Sequence, residues 1–471
     1  MRWFCVAAAT LGLVACAGGM HSAGILPGSP HARMPSRTSS SQPIQHVVVM
    51  IQENRSFDNL FATFPGAAGT RWGRAWGHGP VKLRVADLAG KCDVGHSFQG
   101  YLRDYNHGEM NGFNLENGGN CGKRAYMFPY HYVDPAQITP YWTIAQQYVL
   151  GDHMFQSQGS DSFTAHQDLI RGGTMIDQAQ TMSIIDSPDA VPWGCDAPAG
   201  TLTSLLVWNG TQLINEHDRG PFPCTNQFPA ASSYETLRDL LDAKSVSWKY
   251  YSPPVLVGSK LPGSGAYWNA FDMIAPVRYG PEWITNVPHA PHFEKQILYD
   301  ISAGKLPSVS WVIPDESNSD HPGSHKDNGP SWVANVVNAI GESSYWNTTA
   351  IVVVWDDWGG FYDHVAPPFF DHWGGLGFRV PMLVISPYAR EATPSKPGYI
   401  SHTQYEFGSI LKFIEDNWNL GRLGTTDSRS TSIVDCLDFT QAPRKFQPIQ
   451  SPRSREYFLR QAPSYKPVDS E

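Results

Sequence analysis

Two adjacent carboxylates, Asp356 and Asp357, directly follow the apolar, β-branched run of residues 351–355. Such a run predicts a buried strand. In open α/β sheets, ligands bind beyond the carboxyl ends of the strands. Paired carboxylates at that edge favour a hard divalent cation. An isolated Asp-Asp pair, however, is more often an acidic, solvated turn after a strand.

The residues after this pair suit a tight turn. Gly359 and Gly360 let the backbone turn sharply and let another group approach closely. Asp363 and His364 follow a few residues later. His364, close to the acidic pair in sequence, is a candidate catalytic residue.

A second apolar run, residues 44–52, ends on Glu53, Asn54 and Arg55. Glu53 and Asn54 are oxygen ligands, but neighbouring residues of an extended strand point to opposite faces. Both can face one site only if the chain leaves the strand at that point. Alternatively, Glu53 complements a helix dipole and Asn54 caps a helix. Arg55 is a candidate phosphate clamp or a surface ion-pair partner.

Ser162 precedes a predicted helix at residues 163–171, which Gly172 and Gly173 end. A helix N-terminus favours anions, so it would stabilise both an alkoxide and a phosphate. The alternative is a plain serine cap. Asp161 and Thr164 are local alternatives to Ser162 for any special role.

Two histidines lie in polar connections. His96 belongs to a long Gly/Asn/Trp-rich excursion at residues 66–132, and His321 follows a predicted strand at residues 307–313. Excursions of this length usually cover a ligand or carry function. Most single histidines are satisfied structural groups, so both are only candidates for contact with an anionic substrate.

Short apolar strands alternate with helices from end to end. This pattern predicts an α/β fold with a largely parallel central sheet, helices on both faces and long loop excursions. The predicted strands are residues 44–52, 246–251, 307–313, 349–357 and 380–386. The predicted helices are residues 134–148, 163–171, 233–245, 289–303, 332–341 and 404–417.

The composition limits the partners. The chain has 471 residues, 41% of them hydrophobic, a net charge of −9 and a pI near 6.0. We find no Lys/Arg cluster of the kind that a nucleic-acid surface needs, so nucleic acid is not expected as a partner.

The first residues predict export. A positive start and an apolar stretch too short to span a membrane make residues 1–15 a signal peptide. Its end, LVAC, resembles a lipobox with Cys16 as the lipidated residue, although an ordinary secretory signal can contain a cysteine. Residues 16–42 would be a flexible tether. We expect a periplasmic or cell-envelope lipoprotein, possibly secreted, that its lipid holds at the membrane.

Five cysteines remain in the mature chain. Export permits disulfides, and the sequence-local pairing is Cys92–Cys121 and Cys195–Cys224, with Cys436 left over. Connectivity cannot be deduced from sequence alone.

Taken together, four blocks resemble the bacterial phosphoesterase family of phospholipases C and related acid phosphatases. The resemblance covers residues 43–449, which we expect to be one catalytic domain followed by a tail at residues 450–471. The blocks are HVVVMIQENRSFDNLF (46–61), VSWVIPD (309–315) with HPGSH (321–325), DDWGGFYDHVAPP (356–368), and FRVPMLVISPYAR (378–390) with HTQYEFGSILKFIEDNW (402–418).

The resemblance implies an alkaline-phosphatase-like fold and a divalent metal of unknown identity. By position, the metal ligands are Glu53, Asn54, Asp356 and Asp357. Many family members have Glu at the last position, and the shorter Asp357 could change ligand reach or metal preference.

The catalytic residues are also carried over by position. Ser162, in SDSFTAH, is the nucleophile that would form a phosphoserine. His321 is the preferred acid for the leaving alcohol, and His96 is a weaker catalytic match. Asp161 and Thr164 stand where the family has prolines, but His166, a substrate-binding candidate, keeps register.

The expected activity is metal-dependent hydrolysis of phosphate esters. A phosphomonoesterase of the acid-phosphatase type is favoured, because the chain ends soon after the catalytic core. The close alternative is a phospholipase C that releases diacylglycerol, and the second alternative is a non-catalytic surface binding lipoprotein. A sulfatase would need a modifiable Cys or Ser in a C/S-x-P-x-R loop, which the Ser162 loop lacks. The sequence leaves the oligomeric state open.

Overall fold

Seven strands form the central sheet of the computed structural model, which describes residues 43–464 except 117, 119–120, 231, 258–260 and 394. The predicted signal peptide, lipidated Cys16 and tether lie outside the described residues, as does the end of the tail. In chain order the strands are β1 (His46–Gln52), β2 (Val149–Gly151), β3 (Trp248–Tyr251), β4 (Val309–Val312), β5 (Thr349–Trp355), β6 (Met382–Ile385) and β7 (Tyr399–Ser401). Across the sheet they lie in the order β3-β4-β1-β5-β6-β2-β7.

The sheet is mostly parallel, as predicted. β3, β4, β1 and β5 run parallel to one another, and β7 runs parallel to β2. Only β6 is antiparallel to its neighbours β5 and β2. The carboxyl ends of the other six strands therefore meet at one edge. The prediction missed β2 and β7, because a three-residue strand has too few positions to show a period.

Helices cover both faces of the sheet. They include α1 (Phe57–Phe61), α2 (Thr139–Gln147), α3 (Ser162–Arg171), α4 (Gly329–Gly341) and α5 (Phe407–Trp418). On one face, the Trp311 indole donates to the Leu169 carbonyl oxygen of α3 at 3.2 Å. On the other face, Trp355 packs on Tyr141 of α2 with ring centroids 4.9 Å apart. The two tryptophans point to opposite faces because Trp311 is in register with Val352, three residues before Trp355.

The remaining elements are short. A three-stranded antiparallel sheet that the sequence analysis did not predict is formed by Met182–Ile185, Ser204–Trp208 and Leu213–Glu216. The predicted helices at residues 233–245 and 289–303 shorten to Leu237–Ala243 and Gln296–Ser302. Other helices are Phe98–Tyr105, Gly265–Trp268, Ala275–Arg278, Glu282–Thr285, Thr426–Arg429 and Arg455–Arg460.

The excursion at residues 66–132 has its own hydrophobic cluster. It is not a bare loop: it contains the helix Phe98–Tyr105 and pairs Trp72–Gly73 with Val81–Lys82. In this cluster, aromatic side chains of the excursion pack against aromatic side chains that follow β5. Its buried aromatic residues include Phe98, Tyr101, Phe113, Tyr130, Trp358, Tyr362 and Phe378. The excursion is thereby fixed beside the carboxyl edge of the sheet.

The described part of the tail packs against the domain. Phe458 is fully buried and meets Trp332 of α4 with ring centroids 5.4 Å apart. Ser464 N donates to the Asp315 carboxylate at 2.6 Å. Across the described stretch, no helix is both long and apolar enough to cross a membrane.

Candidate active site

The first two candidate ligands lie where β1 ends. Gln52 is the last residue of the strand, and Asn54 has a φ of 59°, so the chain leaves the strand at this point. Glu53 and Asn54 are both fully buried. The left-handed turn gives the departure from the strand that the sequence analysis required if both side chains were to face one site.

The acidic pair lies where β5 ends, next to Asn54. Asn54 N donates to Asp356 Oδ1 at 2.8 Å. Gly359 has a φ of 58°, and a Cβ atom there would lie 2.2 Å from the Asn54 carbonyl oxygen. A glycine is therefore needed, both for the backbone conformation and for the close approach of the two segments.

Ser162 lies between the two strand ends. It is the first residue of α3 and is fully buried. Its Oγ donates to Asp357 Oδ2 at 3.1 Å and lies 3.4 Å from Asn54 Oδ1. Its sequence alternative Asp161 accepts from Ser187 N at 2.8 Å and so holds a neighbouring loop.

His96 orients the Asn54 side chain. His96 Nδ1 donates to the Val94 carbonyl oxygen at 2.8 Å, which leaves Nε2 of the neutral ring as an acceptor. Asn54 Nδ2 donates to this Nε2 at 2.7 Å, so the amide oxygen of Asn54 turns towards Ser162. The excursion thus brings His96 to the site, where its Nε2 also lies 3.6 Å from Asp357 Oδ2.

His166 lies on the other side of Ser162, one helical turn along α3. Its Nε2 is 3.2 Å from Glu53 Oε1 and 3.7 Å from Asp356 Oδ2. Burial lowers the pKa of His166 to about 4, although the charge on Asp356 opposes this shift. A neutral imidazole can bind a metal or hold a carboxylate. The sequence analysis placed His166 with the substrate and missed this contact, which the i, i+4 spacing from Ser162 could have indicated.

The site has the donors and the charge that suit a divalent cation. One atom each of Glu53, His166 and Asp356 lie within 4.8 Å of one another. Asp356 Oδ2 is buried without a hydrogen bond to any described residue. Burial and the charge on Glu53 raise the pKa of Asp356 to about 7. A cation bound here would offset both the burial and the repulsion between carboxylates.

Arg55, which follows β1, bonds to the loop that carries His321. Arg55 is 3% exposed, and its guanidinium donates to the carbonyl oxygens of Asp320 and Leu88 and to Asn59 Oδ1. These bonds hold loops together, and the role of Arg55 as a phosphate clamp stays a prediction. His321 is buried, and its Nδ1 lies 2.6 Å from the Pro322 carbonyl oxygen. Its role as an acid also stays a prediction.

His364 belongs to a second cluster, which we call the Arg379 cluster: Asp58, Asp363, His364 and Arg379. His364 Nδ1 bonds Asp58 Oδ2 at 2.6 Å. Arg379 donates to both carboxylate oxygens of Asp363, at 2.8 and 3.0 Å. The catalytic role of His364 stays a prediction, because the hydrogen bonds given for His364 join it to this cluster and not to Ser162. The sequence analysis did not single out Arg379, although it stands in the FRVP block.

The cysteines pair as the sequence-local pattern suggested. Disulfides join Cys92 to Cys121 and Cys195 to Cys224, and Cys436 is a buried free thiol. The first disulfide closes the loop that carries His96. It therefore restrains the segment that orients Asn54.

A family model described as the phosphoesterase family matches residues 44–421. The chain belongs to the phosphoesterase family. This confirms the resemblance drawn from the four sequence blocks.

Curated relatives of this phosphoesterase are phospholipases C by name. It is 25% identical over 441 residues to a non-hemolytic phospholipase C of Burkholderia pseudomallei, which covers 81% of this chain but only 56% of that protein. It is 26% identical over 453 residues to phospholipase C A of Mycobacterium tuberculosis, covering 86% of this chain and 79% of that protein.

Among solved structures, a protein in the alkaline phosphatase superfamily from Vibrio parahaemolyticus is similar, with a TM-score of 0.34 and 11% identity. The alignment covers 84% of this chain and 72% of that one.

Proposed function

We propose that this phosphoesterase hydrolyses phosphoric esters at the buried site around Ser162. One observation carries the proposal: the Ser162 hydroxyl stands at the N-terminus of α3 and donates to the Asp357 carboxylate at 3.1 Å. A nucleophilic hydroxyl needs a nearby base, and a phosphoryl group needs positive charge around it. The carboxylate and the helix N-terminus supply these two requirements in one place.

The residues fit a divalent metal held by Glu53, Asn54, Asp356 and Asp357, with His166 as a further neutral donor. The metal, when bound, would supply Lewis-acid chemistry that lowers the pKa of the Ser162 hydroxyl and neutralises charge on the phosphate. Imidazole and carboxylate together suit several transition metals, so the donor set leaves its identity open.

The chain's own residues account for the two half-reactions. Ser162 Oγ gives its proton towards Asp357 Oδ2 and forms the new P–O bond, while the bond from phosphorus to the ester oxygen breaks. The leaving alcohol takes a proton, for which His321 stays the predicted donor. Water then attacks the phosphorus and gives a proton to His321, while the bond from phosphorus to Ser162 Oγ breaks. Ser162 Oγ takes its proton back from Asp357 as the phosphate leaves. A phosphate bound at Ser162 would lie at the N-terminus of α3, whose first amides would stabilise its charge.

We propose a phospholipid as the substrate. The relatives described above are named phospholipases C, and this chain spans 79% of the Mycobacterium tuberculosis protein. The expectation of a phosphomonoesterase rested on the position of the chain end, and none of the contacts given above for the described residues of the site favours it. The phosphomonoester therefore becomes the alternative outcome of the assay.

The test compares two substrates on purified protein supplied with divalent metal. One arm follows diacylglycerol release from phosphatidylcholine, and the other follows phosphate release from a small aryl phosphate. We expect rapid turnover in the first arm. Rapid turnover in the second arm alone would identify a phosphomonoesterase. Absence of turnover in both arms would favour the second alternative, a non-catalytic binding protein.

Ser162→Ala tests the nucleophile. We expect turnover to fall by about 10⁴-fold or more, as for other lost nucleophiles, and no phosphoenzyme to form on acid quench. Ser160→Ala is the matched control, since Ser160 is an equally buried hydroxyl two residues earlier. Wild-type activity in Ser162→Ala would contradict the assignment of the nucleophile. Activity that survives complete removal of divalent metal by a chelator would contradict the proposed metal requirement.

A further inference from the structure

A hairpin of the excursion exposes large apolar side chains. We call residues 71–85 the basic hairpin. Its strands Trp72–Gly73 and Val81–Lys82 pair antiparallel, and Arg84–Ala86 follows. Trp72, Trp76 and Val85 are 57%, 55% and 54% exposed. Exposed tryptophans are costly in water and are typical of surfaces that meet a partner or a membrane interface.

The same hairpin is strongly positive. Arg71, Arg74, Lys82 and Arg84 are all exposed, and residues 70–86 contain no Asp or Glu. The whole chain has a net charge of −9. Arg74 approaches Glu109 at 3.5 Å, but both side chains are more than half exposed, and such pairs are weak. The sequence analysis found no Lys/Arg cluster, because these residues alternate with apolar ones and come together only when the hairpin folds.

The basic hairpin is anchored beside the active site. A Cβ atom on Gly73 would lie 2.8 Å from the Tyr130 ring and 3.1 Å from the Tyr362 ring. The Tyr130 hydroxyl donates to the Arg74 carbonyl oxygen at 2.7 Å, and Arg74 N donates to the Tyr362 hydroxyl at 3.3 Å. Tyr362 follows Asp357 by five residues. The inner side of the hairpin thus packs on the segment that carries the acidic pair, and its tryptophans remain outside.

We propose that the basic hairpin docks the protein on an anionic phospholipid surface. Trp72 and Trp76 would enter the interfacial layer, where tryptophan is favoured. The four basic side chains would meet lipid phosphates, and each adds to the attraction to an anionic leaflet. Two observations favour a phospholipid surface as the partner. The positive charge of the hairpin complements an anionic lipid surface, and the hairpin is anchored beside the active site. The inference deepens the proposed function, because docking would bring the phosphodiester of a lipid to the Ser162 site.

Vesicle binding tests the docking without turnover. The catalytically silent Ser162→Ala protein is sedimented with phosphatidylcholine–phosphatidylserine vesicles and with pure phosphatidylcholine vesicles, at low and high salt. We expect tighter binding to the anionic vesicles, weakened by salt. Trp72→Ala with Trp76→Ala, or Gln at the four basic positions, should weaken it by about tenfold or more.

Tyr279→Ala with Ile284→Ala is the matched control. These side chains are 63% and 71% exposed but lie outside the basic hairpin, on the helices Ala275–Arg278 and Glu282–Thr285 or directly after them. They should leave vesicle binding unchanged. Docking is overturned if anionic vesicles do not bind, if the control loses binding equally, or if a single-stranded oligonucleotide binds more tightly than the vesicles.

A second readout separates this inference from the proposed function. In the otherwise wild-type enzyme, the hairpin variants should keep turnover of a monomeric short-chain phosphatidylcholine and lose it on vesicles. Vesicle binding by a protein that turns over neither lipid would overturn the proposed function and leave the docking surface intact. Equal loss on both substrates would mean that the hairpin supports the active site and does not dock it.

Discussion

Two buried acidic clusters are built from the same two segments of the chain. In the active site, Glu53 comes from the end of β1 and Asp356 from the end of β5. In the Arg379 cluster, Asp58 follows Glu53 by five residues, and Asp363 follows Asp356 by seven. All four carboxylates are fully buried.

The difference lies in the cation. Arg379 is fully buried and donates to both oxygens of Asp363, and its guanidinium is 3.7 Å from Asp58. Among the described residues, the groups that most strongly shift the pKa of Asp356 are Glu53, His166 and Ser162, and none of them is an Arg or a Lys. In the Arg379 cluster, an arginine of the chain neutralises the carboxylates and so stabilises the fold. In the active site, the carboxylates repel one another until a bound cation neutralises them. The same substitution should therefore have opposite effects in the two clusters.

Asp356→Asn should give the largest effect on catalysis. Turnover should fall by about 10³-fold, the order seen when one preorganised electrostatic group is lost. In metal-free protein, stability should hold or rise, because the variant removes a buried charge that repels Glu53. The checks are kcat/KM and urea denaturation. A variant that keeps wild-type turnover would remove Asp356 from the active site.

Asp363→Asn should do the reverse. It breaks the two-bond pair with the buried Arg379 guanidinium, which keeps only the more distant Asp58 carboxylate at 3.7 Å. Breaking a buried ion pair typically costs about 3–5 kcal/mol. Urea midpoints should therefore fall well below those of Asp356→Asn, while the folded fraction keeps its turnover. Equal stability of the two variants would abolish the distinction between the clusters.

Gly359→Ala should misplace Asn54 without changing any charge. The new Cβ atom would meet the Asn54 carbonyl oxygen at 2.2 Å, and a shift of about 1 Å near reacting groups can cost about 10²-fold in rate. Gly304→Ala is the control, since Gly304 has a similar φ of 70° with nothing near the added atom. It should show only the backbone cost of about 1–2 kcal/mol in unfolding free energy. Equal turnover in the two variants would argue against the close packing of the strand ends.

His364→Gln should have the smallest effect, and it should depend on pH. Burial opposes the charge on His364, but the hydrogen bond and charge of Asp58 outweigh it and raise its pKa above 6.5. The folded protein therefore binds this proton more tightly than the unfolded chain. Its stabilising contribution is complete below the unfolded pKa and is lost as pH rises through the folded pKa.

Thermal unfolding of both proteins checks this sign. The free energy of unfolding of the wild type should exceed that of His364→Gln most at acidic pH and least at pH 9. The difference should stay below about 1 kcal/mol, because the His364–Asp58 pair is partly exposed. A gap that grows towards alkaline pH would contradict the charged pair.

Local patterns predicted the elements that bear chemistry. The apolar runs placed β1 and β5, and the glycines after α3 placed its end. The two glycines after Asp357 predicted the close approach to another segment, which proved to be Asn54. Short strands such as β2, and the antiparallel direction of β6, escaped because neither leaves a periodic signal of its own.

The sequence by itself determined which oxygen donors stand at the ends of β1 and β5 and that a hydroxyl begins α3. Only the tertiary structure decided which of these groups meet, since Asn54 and Asp356 bond across 302 positions of the chain. It also decided that Asp363 receives an arginine, whereas the described groups that most strongly shift the pKa of Asp356 are Glu53, His166 and Ser162. The physical reason is that residue type sets which charge a segment carries, whereas long-range packing sets which charges share a low-dielectric space.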